Sequence, residues 1–173
     1  MLAAAKHKEM EASADEVWSL LVDVKNYHEL FPAGQFVINL TPRKSLNPVE
    51  SGARIATQYI IDGVKLDMEI SITGVMEVGN RRTLAFAIKD VWHSTGTYRY
   101  SVEKLPGKEG CFVSCSFALV PNHWYGKLHN CIYRKKTLKE TAAWLERDLL
   151  DIEHAACTQP GRARRRQMTV QPS

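Results

Sequence analysis

Four cysteines in 173 residues are too few and too scattered for a disulfide framework. They stand at 111, 115, 131 and 157, with no CxxC pair and no histidines at zinc-finger spacing. Cys111 and Cys115 share one face of a predicted strand, roughly 13 Å apart at about 3.3 Å per residue, beyond the reach of a disulfide. Long apolar runs are missing too. The opening MLAAAKHKEM holds no signal-peptide core, and no segment approaches the roughly 18 apolar residues of a membrane span. The expectation is a reduced, cytoplasmic protein with no stable membrane insertion. A glycine-rich phosphate loop, a nucleophile elbow and an HExxH motif are all lacking. His123 and His129, six residues apart on a predicted helix, point in different directions. His28-Glu29 reads as a solvent-facing pair. No metal and no cofactor are therefore expected.

An excess of one charge is also nearly lacking. The formal net charge is +4, and GRARRRQ alone supplies Arg162, Arg164, Arg165 and Arg166. Without those four, the 23 basic residues fall to 19, equal to the 19 acidic ones. A neutral body argues against a nucleic-acid or anionic-membrane face on the domain. Residues 158–173, with Pro160, Gly161 and Pro172, read as a disordered Arg-rich tail able to pair with phosphate. Residues 1–157 are one domain by size. A hydrophobic share of 45% and a charged share of 24% are ordinary for a globular protein.

What is present is a change of period. Residues 3–11 are a poor strand by propensity, placed where they can pair at a sheet edge. Ser13 followed by Glu16 forms a capping box, and Val17, Leu20, Leu21 and Val24 then share one helical face. Asn26 to Phe31 make one more turn, stopped by Pro32. From residue 35 the period falls to two. VKLDMEISI sets Val64, Leu66, Met68, Ile70 and Ile72 against Lys65, Asp67, Glu69 and Ser71. Leu84, Phe86 and Ile88, then Tyr98, Tyr100 and Val102, then Cys111, Val113, Cys115, Phe117 and Leu119 continue the buried side. Asp62-Gly63 and Gly79-Asn80 supply tight turns, so neighbouring strands are antiparallel. Six strands are counted, or seven with the first. One helix is expected from about Trp124 to Ala156, some 48 Å long. Its stripe is Leu128, Cys131, Leu138, Ala142, Leu145, Leu149, Ile152 and Ala156, with Lys135 admitted.

This order, together with ASADEVWSLLVDVKNYHELFP, resembles the helix-grip fold of the START-like (SRPBCC) superfamily, which includes polyketide cyclases and lipid-transport proteins. The resemblance spans residues 3–156. It implies an α+β domain in which a curved antiparallel sheet wraps a long C-terminal helix, with two short helices after the first strand. It also implies an internal cavity walled by the inward residues.

The side chains expected to bind a guest there are Tyr59, Met68, Ile70, Phe86, Ile88, Tyr98, Tyr100, Phe117, Leu138 and Leu145. A mostly apolar lining with a few polar groups suits a hydrophobic small molecule: a lipid, an isoprenoid or a polyketide-like compound. Inward-facing ionisable groups are almost absent from the strands, so binding or transport is placed ahead of catalysis. The alternative is a cyclase, aromatase or dehydratase using Tyr98, Tyr100 or His93 for proton transfer. A third reading is an interaction protein whose basic tail grips an anionic partner; for the domain itself, nucleic acid is not an expected partner.

Overall fold

The computed structural model describes residues 1–24, 27–31, 36–38, 54–61, 64–91 and 94–158. Within these, the side chains of 28, 36–38, 55–61, 64–69, 90 and 91 lie outside the description. Strand β1 (Leu2–Met10) leads into α1 (Ala14–Val22) and the single turn α2 (Tyr27–Leu30). Strands β2 (Phe36–Ile38), β3 (Arg54–Ile61), β4 (Val64–Val78), β5 (Arg81–Val91), β6 (Ser94–Lys104) and β7 (Cys111–Pro121) follow. Helices α3 (Trp124–Ile132) and α4 (Arg134–Thr158) close the described chain.

The strands form one antiparallel sheet in the order β1-β7-β6-β5-β4-β3-β2. Five of them, β1 and β4 to β7, run for nine residues or more. The poor propensity of β1 is offset by its position. It is an edge strand paired with β7, and its inward phase alternates Leu2 and Met10 with Ala4, Lys6 and Lys8. The two lysines reach across to α4, where Lys8 meets Glu153 at 2.6 Å and Lys6 meets Glu146 at 3.3 Å. Charges pointing inward at an edge also discourage pairing with another chain.

Helix α1 starts where the capping box requires. The Ser13 hydroxyl accepts from the Glu16 amide, while the Glu16 carboxylate accepts from the Ser13 amide at 3.1 Å. Val17, Leu21 and Val24 are buried, and Arg82 of β5 clamps the start of the helix through Asp15. In β4 the register shifts between Ile72 and Gly74. This bulge puts Val75 opposite Leu84 after Ile72 has faced Phe86, so the inward phase changes from even to odd positions. Gly79, at φ 61, makes the turn into β5 that the sequence predicts. The Asp62-Gly63 turn lies outside the described residues, although Ile61 pairs with Val64 across it.

The single 124–156 helix requires correction. It is two helices, parted at Tyr133 (φ −98, ψ 10), whose amide bonds to the His129 carbonyl. A continuous helix would carry Lys135 into the stripe shared by Leu128, Cys131 and Leu138. The break leaves Lys135 exposed, and Leu128 and Cys131 are exposed too rather than in the stripe. The buried stripe begins with Thr137 and Leu138 and runs through Leu145, Leu149, Ile152 and Ala156. At 25 residues α4 is about 37 Å long. It packs on β1 and β7, while α1 covers β5 and β6. The core lies between these helices and the concave side of the sheet.

Candidate functional site

Strand alternation puts Tyr98 and Tyr100 side by side on the inner face of β6, with ring centroids 4.9 Å apart. Phe86 of β5 and Phe117 of β7 flank them. Phe31, just past α2, stacks parallel to Tyr100, and Tyr27 meets both Phe31 and Phe86 edge-on. From α4, Trp144 closes on Tyr98 and Phe117. Gly96 makes room for this cluster: a Cβ there would stand 3.0 Å from the Phe117 ring. Two tyrosines deep among aromatic rings need hydrogen-bond partners.

The partner is Asp148, which the sequence reading missed. Its carboxylate, on a residue only 5% exposed, accepts at Oδ2 from both phenols, from Tyr100 at 3.1 Å and from Tyr98 through a shorter bond. Burial pushes this carboxyl up to about 6; the hydrogen bonds from Tyr98 and Tyr100 act the other way and hold it from rising further. Burial first, and the nearby Asp148 charge second, raise Tyr27, Tyr98 and Tyr100 well above the ordinary phenol range. The phenols therefore stay protonated as donors, while the carboxyl titrates close to neutrality. Cys115 lies beside the group, donates to the Leu145 carbonyl at 3.3 Å, and is raised by burial to about 12. It is an inert thiol rather than a nucleophile.

Of the residues expected to meet a guest, Phe86, Ile88, Tyr98, Tyr100, Phe117 and Leu145 are buried on the inner side, and Ile70 and Leu138 are partly buried against the same core. The side chains of Tyr59 and Met68 lie outside the description, as do His93 and the tail from 159 onward. The inward ionisable group stands on α4 and not on a strand. Asp148 stands three residues after Leu145 and four before Ile152, both in the recognised stripe. A lone acid at core spacing in an apolar helical face was the available signal.

A depression of about 430 Å³ lies on the far side of the sheet, over outward-facing Ala3, Ala5, Ala85, Thr97, Ser116 and Ala118. It is open, and Phe86, Tyr98 and Phe117 also border it. On the inner side, the wall made by β3 and the first half of β4 consists of side chains outside the description. Where side chains are described, aromatic rings surround Tyr98 and Tyr100.

No protein-family model and no curated protein sequence matches the chain. Solved structures do. The crystal structure of Ara h 8.0201 aligns at a TM-score of 0.60 and 13% identity, covering 90% of this chain and 97% of that one. Protein CV1439 from Chromobacterium violaceum aligns at 0.58 and 13% identity, over 89% and 96% of the two chains. TTHA0849 from Thermus thermophilus aligns at 0.58 and 16% identity, over 90% and 97%. Across nearly the full length of each, with few residues in common, the shared property is the arrangement of elements: this chain has the helix-grip fold.

Proposed function

We propose that the protein binds a hydrophobic small molecule between its sheet and α4, with the molecule's polar end meeting Asp148. The observation that supports this is the buried carboxylate bridging two phenols in surroundings that are otherwise apolar and aromatic. A structural anchor between α4 and β6 would be served as well by packed hydrophobes, because burying a carboxylate costs more than it returns. Tyr98 and Tyr100 spend their protons on Oδ2. The group therefore offers acceptors to a guest, which selects an apolar body ending in a hydroxyl or phenol. A lipid, an isoprenoid alcohol and a polyketide-like phenol all meet that description.

A long-chain alkyl phenol and its methyl ether test the assignment, each displacing a fluorescent anilinonaphthalene sulfonate from the purified protein. The expected result is that the phenol binds roughly 10- to 100-fold tighter, the worth of one hydrogen bond to a charged group. In Asp148→Asn the difference should shrink. If neither compound binds, the hydrophobic-guest reading falls. Equal binding of both by the wild type overturns the role given to Asp148.

The same carboxyl favours a second reading, catalysis by proton transfer. An acid titrating at about 6 can take and return a proton at neutral pH, the range that general acid–base chemistry needs. Cyclisation or dehydration of a poly-keto substrate would use Asp148 as base and Tyr98 or Tyr100 as the donor to a developing oxyanion. Turnover falling at least about 100-fold in Asp148→Asn with guest uptake retained is the expected result. Unchanged turnover would remove Asp148 from the chemistry.

A further inference from the structure

Helix α3 is inside out. It buries Gly126 and Asn130 against the body of the protein and turns its apolar face to solvent, leaving Trp124 63%, Leu128 50% and Ile132 65% exposed. Tyr125 extends that face, and Trp124 stacks on Tyr125 with ring centroids 3.6 Å apart. At about 100° per residue, Trp124, Leu128 and Ile132 cover an arc of about 80°, and Tyr125 widens it. A surface helix ordinarily buries this stripe. Among the described residues α3 packs on β7 and α4, and this face stays exposed.

The charges around the face all have one sign. From Pro121 to Lys139 the chain carries Lys127, Arg134, Lys135, Lys136 and Lys139 and no acidic residue; the first acid is Glu140, which Lys136 reaches at 3.8 Å. The neutral total of the body conceals this segregation. We infer that α3 and the start of α4 form a peripheral docking surface for an anionic phospholipid bilayer. Trp124, Tyr125, Leu128 and Ile132 enter the headgroup boundary, and the five cations lie against lipid phosphates. Amphipathic aromatic rings beside an apolar stripe with flanking Lys and Arg are what an interfacial helix requires. A second copy of the chain fits the face poorly, because pairing two such helices would bring ten cations together without a counter-charge. Docking needs no spanning segment, and no helix among the described residues is long and apolar enough to cross a membrane.

Co-sedimentation of the full chain with large vesicles tests this, using phosphatidylcholine alone and phosphatidylcholine with about one-third phosphatidylglycerol. Binding is expected only to the anionic vesicles, with loss in about 0.5 M salt, where charges are screened over a few ångströms. Leu128→Glu should abolish it while leaving the circular dichroism and melting curve unchanged, since the side chain is exposed. Lys135→Gln with Lys139→Gln should weaken it about fivefold for each charge removed. A variant with Arg162, Arg164, Arg165 and Arg166 all changed to Gln separates the tail, and it should keep most of the binding. The inference is overturned by absence of binding to anionic vesicles at low salt. It is also overturned if binding survives Leu128→Glu, if it vanishes with the tail arginines alone, or if light scattering shows a dimer that Leu128→Glu dissociates.

Discussion

Replacing Asp148 by asparagine should change how stability depends on pH more than it changes stability at any one pH. In the folded protein the carboxyl titrates at about 6, and in the unfolded chain at roughly 3.9. Below pH 4 both forms are protonated, and the residue contributes its full stabilising effect as a neutral acid. Between about 4 and 6 the unfolded chain releases its proton while the folded protein keeps it, so stability falls as pH rises. Above 6 both are ionised, and the loss is complete. Two units correspond to about 3 kcal/mol, or roughly 6–12 °C in Tm for a chain of this size. Asparagine has no such titration. Urea denaturation of both proteins at pH 4 and pH 7.5 measures the effect, and subtracting one protein from the other cancels every remaining acid. The difference should move by about 3 kcal/mol in favour of the variant between the two pH values. A difference that stays constant within about 1 kcal/mol would refute the claim that Asp148 is buried and ionised in the folded protein.

Two smaller perturbations probe the frame around this group. Gly96→Ala puts a methyl 3.0 Å from the Phe117 ring and should cost about 1–3 kcal/mol by overpacking, read as a lower denaturation midpoint at unchanged slope. Ser13→Ala removes one half of the α1 capping box and should cost about 1 kcal/mol, with faster hydrogen exchange confined to the first turn of α1.

Much of this architecture was legible because it follows from period alone. The inward positions of β5, β6 and β7 read directly from alternation, and Ser13 with Glu16 marks a helix start by chemistry that does not depend on tertiary contacts. Strand β1 was harder to read, since Ala, Lys and Glu disfavour strands. It forms because all nine of its residues pair with β7 and Leu2 and Met10 are buried, while Lys6 and Lys8 find carboxylates on α4, more than a hundred residues away in the chain. The break at Tyr133 was hidden because Leu128, Cys131, Lys135 and Leu138 keep helical spacing across it. Only the cost of burying Lys135 signals that the stripe cannot be continuous. Asp148 was overlooked for the opposite reason: apolar residues define a stripe, and an acid within it is easily assigned to the solvent side until Tyr98 and Tyr100 are seen to face it.

The bulge in β4 separates two properties that a strand normally ties together. Ile72 faces Phe86 and Val75 faces Leu84 with one surplus residue between them, so deleting Thr73 would leave every downstream pair in place while straightening the ribbon. How tightly the wall closes around its contents is therefore adjustable by a single codon without redrawing the hydrophobic pattern. Homologous chains could widen or narrow their interiors by that route while keeping the same side chains inside.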